Sequence, residues 1–124
     1  MLLAVDISGS LPHQIRKDIA ETIDALRHYE KYIEIKAVDH EIHDVNGVEL
    51  IELLLRQGAG TDWKPLVKFM QDPGTPMICL VDDSSYLPPH VPNNTLVIDV
   101  SRGVQVDQLM QLIVSYIKYY NFEA

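Results

Sequence analysis

The chain opens on an unbroken apolar run, Met1 to Val5, that stops at Asp6 and gives way to the turn formers Ser8-Gly9-Ser10. A short apolar run bounded by a turn signal predicts a buried strand followed by a loop. From Leu11 to about Tyr29 the apolar residues Ile15, Ile19, Ile23 and Leu26 recur at helical spacing. Pro12 falls in the first turn, where its missing N–H costs nothing, so the pattern predicts an amphipathic helix with Ser10 as its N-cap. Alternation then takes over. Ile33, Ile35 and Ala37 against Glu34, Lys36 and Val38 read as a strand over Lys31–Val38, and the polar step Asp39-His40 leads into Glu41–Val45. Asn46-Gly47 reads as a turn, and the leucines of Val48–Leu55 suit a short helix better than an alternating strand.

Gly58-Ala59-Gly60 is the strongest breaker in the chain, after which Thr61-Asp62 can cap a helix through Trp63, Pro65, Leu66, Val67, Phe69 and Met70 that Asp72-Pro73-Gly74 stops. Pro76 to Val81 is a nearly continuous apolar run of the kind buried on both faces of a parallel sheet, and it ends on Asp82-Asp83. The proline-rich segment Tyr86–Asn94 reads as a loop, Thr95–Val100 as a strand, and Val104–Tyr120 as a final helix. That helix has a buried stripe of Val106, Leu109, Met110, Ile113 and Ile117, with Leu112, Val114, Tyr116 and Tyr120 spreading apolar surface onto a second side. Strands alternating with helices predict an α/β fold in a single domain, residues 1–124: a three-layer, doubly wound, mostly parallel sheet of the Rossmann-like kind. In such folds ligands bind at the carboxyl ends of the strands, beside the point where strand order reverses. That rule singles out Asp6–Ser10, Gly58–Asp62 and Asp82–Ser85.

Composition narrows the partners. The chain has 124 residues with 10 Lys and Arg against 18 Asp and Glu, a formal charge of −8. A balance this acidic disfavours binding to nucleic acid or to an anionic membrane surface, both of which want clustered cations. A domain of this size builds its core without cross-links, and Cys79 has no second cysteine to pair with. No apolar run approaches the ~18 residues of a membrane span, and Met1–Val5 lacks the charged start and length of a secretory signal, so the expected location is the cytoplasm.

Asp6, Ser8 and Ser10 fall at alternate positions just past the first strand, bringing one carboxylate and two hydroxyls to one loop. These are hard oxygen donors, suited to magnesium, which takes near-octahedral oxygen coordination and keeps several waters. Thr61 can bring a third hydroxyl from the loop after Gly58-Ala59-Gly60, and Asp82 a second carboxylate from the end of a later strand. In this order, Asp-x-Ser-x-Ser, then Thr, then Asp, the chain resembles the von Willebrand factor A-like (VWA-like) domains with their metal-ion-dependent adhesion site (MIDAS). More narrowly, Val5–Ser10 together with Gly58–Trp63 is similar to the compact bacterial and phage-borne A-like domains associated with metallopeptidase-like proteins. Two features depart from the family. Val81-Asp82-Asp83 stands where Thr-Asp-Gly is usual, which leaves Asp82 or Asp83 to face the metal, with Asp82 favoured by register. The chain is also reduced in size relative to larger members.

The resemblance implies a magnesium ion, with manganese or calcium as alternatives, contacted directly by Ser8 and Ser10. Thr61 would join in the partner-bound state, and Asp6 and Asp82 would act directly or through water. An open coordination position would then accept an acidic residue of a protein partner. Asp62 is either a second-layer partner of the site or an acid favoured at a helix N-terminus in its own right. Two other function classes compete: a metal-dependent hydrolase, and a flavodoxin-like domain in which Ser8-Gly9-Ser10 cradles a phosphate or flavin. No Gly-x-Ser-x-Gly elbow and no His-Glu-x-x-His helix occurs, so no catalytic residue is assigned. His40-x-x-His43 has zinc-like spacing without a supporting Cys or third His and reads as an exposed hairpin. The second apolar side of the last helix implies either self-association or a companion segment.

Overall fold

The computed structural model describes residues 1–7, 11–39, 41–56, 75–82 and 94–121. They build an α/β fold around a five-stranded, mostly parallel sheet. The strands are β1 (Leu2–Asp6), β2 (Glu34–Val38), β3 (Ile42–Val45), β4 (Met77–Val81) and β5 (Thr95–Asp99), in the order β3-β2-β1-β4-β5. β1 pairs in parallel with β2 (Val5 beside Ala37) and with β4 (Val5 beside Leu80), and β4 pairs in parallel with β5. Only β3 runs antiparallel, as the second arm of a hairpin with β2. The described helices are α1 (His13–Ala25), α2 (Gly47–Leu55) and α3 (Val106–Asn121), with a 3-10 segment at Arg27–Tyr32.

Side-chain alternation divides the sheet into two buried faces. On the first, Leu3, Val5, Ile35, Ala37, Ile78 and Leu80 join the stripes of all three helices, whose centre is Ile19, Leu50, Leu54, Ile113 and Ile117. Leu109, Ile113 and Ile117 form the buried stripe of α3, with Met110 half-buried beside them. The second face collects Leu2, Ala4, Val38, Met77, Cys79 and Val81, and no described helix contributes to it. β1 and β4 are buried throughout, as their unbroken apolar runs require.

Several boundaries differ from the sequence reading. Pro12, in extended conformation (φ −57°, ψ 147°), occupies the N-cap of α1 in place of Ser10, and its carbonyl accepts the Arg16 N–H at 3.1 Å. Proline brings no capping side chain, so the backbone begins the helix unaided. At the other end α1 stops at Ala25. Leu26 bonds back to both Thr22 and Ile23 (3.1 Å each), which tightens the chain into the 3-10 segment and delays β2 until Glu34. Asn46-Gly47 is a helix start instead of a turn: the Asn46 side chain accepts the Glu49 N–H at 2.8 Å while Glu49 accepts the Asn46 N–H at 3.1 Å. This reciprocal pair is a capping box, in which an acidic residue three positions on outcompetes the turn preference of Asn-Gly. The helix expected over Trp63–Met70 and the proline-rich loop lie outside the described residues.

Candidate functional site

Each parallel strand delivers an aspartate to the carboxyl edge of the sheet: Asp39 directly after β2, Asp6 at the end of β1, Asp82 directly after β4, and Asp99 at the end of β5. The outer two serve local turns. Asp39 accepts the Glu41 N–H (2.9 Å) and faces His43 Nε2 (3.0 Å), and Asp99 accepts the Ser101 N–H (2.9 Å). The central pair differs. Asp6 is only 1% exposed, and its Oδ2 accepts the backbone N–H of Asp82 from the neighbouring strand end at 3.3 Å. From β1 the chain moves out to β2 and β3, then returns to the other side of β1 to place β4 and β5. Strand order therefore reverses between β1 and β4, where the crevice of an open α/β sheet forms.

Burying a carboxylate this deeply is costly unless hydrogen bonds or charge offset the lost hydration. Arg16, in the first half of α1, is 5% exposed and lies in the field of Asp6. Burial lowers its pKa from the ordinary guanidinium value, and the Asp6 charge opposes that shift.

Of the residues expected at a metal site, the structure brings together Asp6 and Asp82, whereas Ser8, Ser10, Thr61, Asp62 and Asp83 lie outside the described residues. Two carboxylates at a strand-order reversal fit a hard, oxygen-loving cation that keeps waters in its shell. No group of three or more His, Cys, Asp or Glu side chains converges among the described residues. His43 belongs to the β2–β3 hairpin, where its partner is Asp39; His40 is outside the described residues. Cys79 is fully buried in β4, where burial pushes its thiol up to about 12 and leaves it protonated at neutral pH. A cavity of about 240 Å³ between the end of β5 and the start of α3 is lined by Ile98, Val100, Val104, Leu109 and Leu112 with Gln105 and Gln108, and brings no titratable group. No described helix is long and apolar enough to cross a membrane.

Arg16 was not among the residues expected at the site. The signal was present: it stands three, four and seven positions before Ile19, Ala20 and Ile23, and so on the core face of α1. Comparisons with protein-family models, with curated proteins and with solved structures return no match to the chain.

Proposed function

We propose that this chain is a divalent-metal-dependent protein-interaction module of VWA type that recognises an acidic residue of a partner protein. The observation that carries the reading is the placement of buried Asp6 at the end of the central strand, hydrogen-bonded to Asp82 where strand order reverses. In this reading the fold is doubly wound with a third layer on the second face, and the burial of Leu2, Ala4, Met77, Cys79 and Val81 supports it. Asp6 and Asp82 would hold the ion together with Ser8, Ser10 and Thr61, the hydroxyls leaving the metal less neutralised than an all-carboxylate cage would. Magnesium, manganese or calcium would supply, when bound, an electrophilic position open to a partner's carboxylate. The protein's own contribution is to hold Asp6: β1 is paired on both sides through Val5 and Asp6 pairs with Val38, while the Asp82 N–H donates to the Asp6 carboxylate. The net charge of −8 supports a cation-bridged contact with an acidic partner over direct contact, since like charges would otherwise repel.

The test is thermal unfolding of wild type and Asp6→Ala, each with excess chelator and with millimolar magnesium or manganese. A cation that binds only the native state at 100 times its dissociation constant adds about 2.7 kcal/mol, a rise of roughly 10 °C for a domain of this size. The expected result is a rise confined to wild type. A flat response in wild type overturns the metal reading, and a partner retained in a pull-down with chelator overturns the proposed mode of binding.

A further inference from the structure

The sheet ends in two unlike edges. β3 is short and carries Asp44, whose side chain is 82% exposed, and charge of this kind keeps an edge strand from pairing with another chain. β5 has neither lysine nor proline, and its one charge, Asp99, stands at its end. The Asn94 carbonyl accepts the Met77 N–H (3.0 Å), and the Val100 N–H donates to the Val81 carbonyl (2.8 Å). By the alternation of a parallel ladder, Leu96 and Ile98 also turn their backbone groups to β4, while Thr95, Val97 and Asp99 turn theirs outward. Among the described residues nothing bonds to the outward N–H and C=O of Thr95 and Val97. The helix beside this edge exposes apolar surface at the same place. α3 runs back along β5: Leu112 lines a cavity with Ile98, and the Tyr116 hydroxyl donates to the Asn94 carbonyl at 2.6 Å. Leu112 and Tyr119, seven positions apart on one side of the helix, are 42% and 61% exposed.

We propose that β5 pairs antiparallel with β5 of a second copy of this chain, about a two-fold axis through Val97, and so continues the sheet across two molecules. In this register Val97 exchanges both of its outward bonds with its own counterpart, and Thr95 stands opposite Asp99, so the whole strand is matched. The side chains match as well. Leu96, packed on the first face of the sheet, meets the second copy's Ile98 on that face, and Val97 meets Val97 on the second. Asp99 faces the Thr95 hydroxyl and not another carboxylate, which spares a chain of net charge −8 a like-charge contact inside the junction. Ile98 marks the level of Leu112 and Asn94 that of Tyr116, so an axis through Val97 passes beside Leu112 and brings two copies of it together. The contact is independent of any cation at Asp6.

The experiment is sedimentation equilibrium of the full chain in chelator, which separates this contact from any that a cation holds. Wild type is expected to dimerise reversibly with a dissociation constant of ~10–100 μM, the weak range that suits a small interface. Val97→Pro removes an outward N–H without touching the bonds to β4 and is expected to weaken the dimer at least about tenfold. Thr95→Asp sets carboxylates opposite each other on both sides of the axis and is expected to weaken it by a similar factor, whereas Thr95→Lys, opposite Asp99, tightens it about threefold. A wild type that stays monomeric at about 300 μM overturns the proposal. A dimer that Leu112→Lys disperses and Val97→Pro leaves intact is built on α3 alone, and overturns it too. Should Val97→Pro lose its fold by circular dichroism, the two Thr95 variants decide: equal dissociation constants overturn the proposal, and opposite shifts uphold it.

Discussion

The Asp6 carboxylate is bonded to the backbone of Asp82, not to its side chain, with the N–H donating to Oδ2 at 3.3 Å. The two aspartates therefore contribute differently to the folded state, although both would face the same ion. Asp82→Asn leaves this donor in place and is expected to cost less in chelator than removal of the Asp6 carboxylate. Asp6→Ala leaves that N–H without its carboxylate and is expected to cost ~1–3 kcal/mol in chelator. Both variants should reduce the magnesium-dependent rise in midpoint. Denaturant titrations in chelator check the contrast: equal losses for the two variants would mean that this hydrogen bond does not distinguish them.

The start of α2 is held by side-chain bonds from three residues. Asn46 accepts the Glu49 N–H at 2.8 Å, and Glu49 returns the bond to the Asn46 N–H. The Gly47 N–H is covered from elsewhere, by the carboxylate of Glu30. Asn46→Ala is expected to lose ~1 kcal/mol, about 3–5 °C in midpoint, while Asn46→Asp stays close to wild type because it keeps the accepting oxygen. A calorimetric scan of the three proteins decides it, and a silent Asn46→Ala would show that the box contributes nothing to stability.

Much of this architecture is legible in the pattern of apolar residues, and the failures have physical causes. Met1–Val5 and Pro76–Val81 declare themselves as central strands because both of their faces are buried, and the aspartates that end those runs mark the carboxyl edge. Asp6 and Asp82 could be named from that alone. Their neighbourhood could not, since a strand order such as β3-β2-β1-β4-β5 is set by non-local pairing that no local periodicity encodes. Asn46-Gly47 misleads because the decisive partner, Glu49, lies beyond the dipeptide. Arg16 and Lys36 escape a reading that counts apolar positions: both occupy core-facing registers and are buried in spite of their charge.

Cys79 should behave as a buried apolar residue. It is 0% exposed, and burial alone pushes its thiol up to about 12, so almost no thiolate exists at pH 8. An aromatic disulfide reagent at pH 8 is expected to leave the native protein unmodified over minutes and to react fully in denaturant. In the native state the slow reaction should track the population of opened molecules, falling whenever a bound cation raises stability. Rapid modification of the native protein would show that the second face of the sheet opens independently of the rest.

Lys36 offers a pH test with a definite sign. It is 8% exposed on β2, and its ammonium reaches Asp44 on β3 and, at 3.4 Å, Glu34. The bond to Asp44 is the largest cause raising its pKa above the ordinary 10.5; burial opposes it, and Glu34 adds to it. Because the folded-state value is raised, the pair's contribution is fully present below the unfolded value and is lost as pH climbs through the folded one. Both carboxylates are largely exposed, which limits the contribution to ~0.5–1 kcal/mol. Lys36→Met fills the same space without the charge and serves as the reference. The stability of wild type minus that of Lys36→Met is expected to hold level from pH 7 to about 10 and then to fall in the variant's favour above 10.5. Denaturant midpoints at pH 8 and pH 11 are enough to measure it. A difference that stays flat would mean that the ammonium gains nothing from Asp44, and one that rises with pH below 10.5 would mean that burial, which lowers the lysine's pKa, outweighs both of its partners.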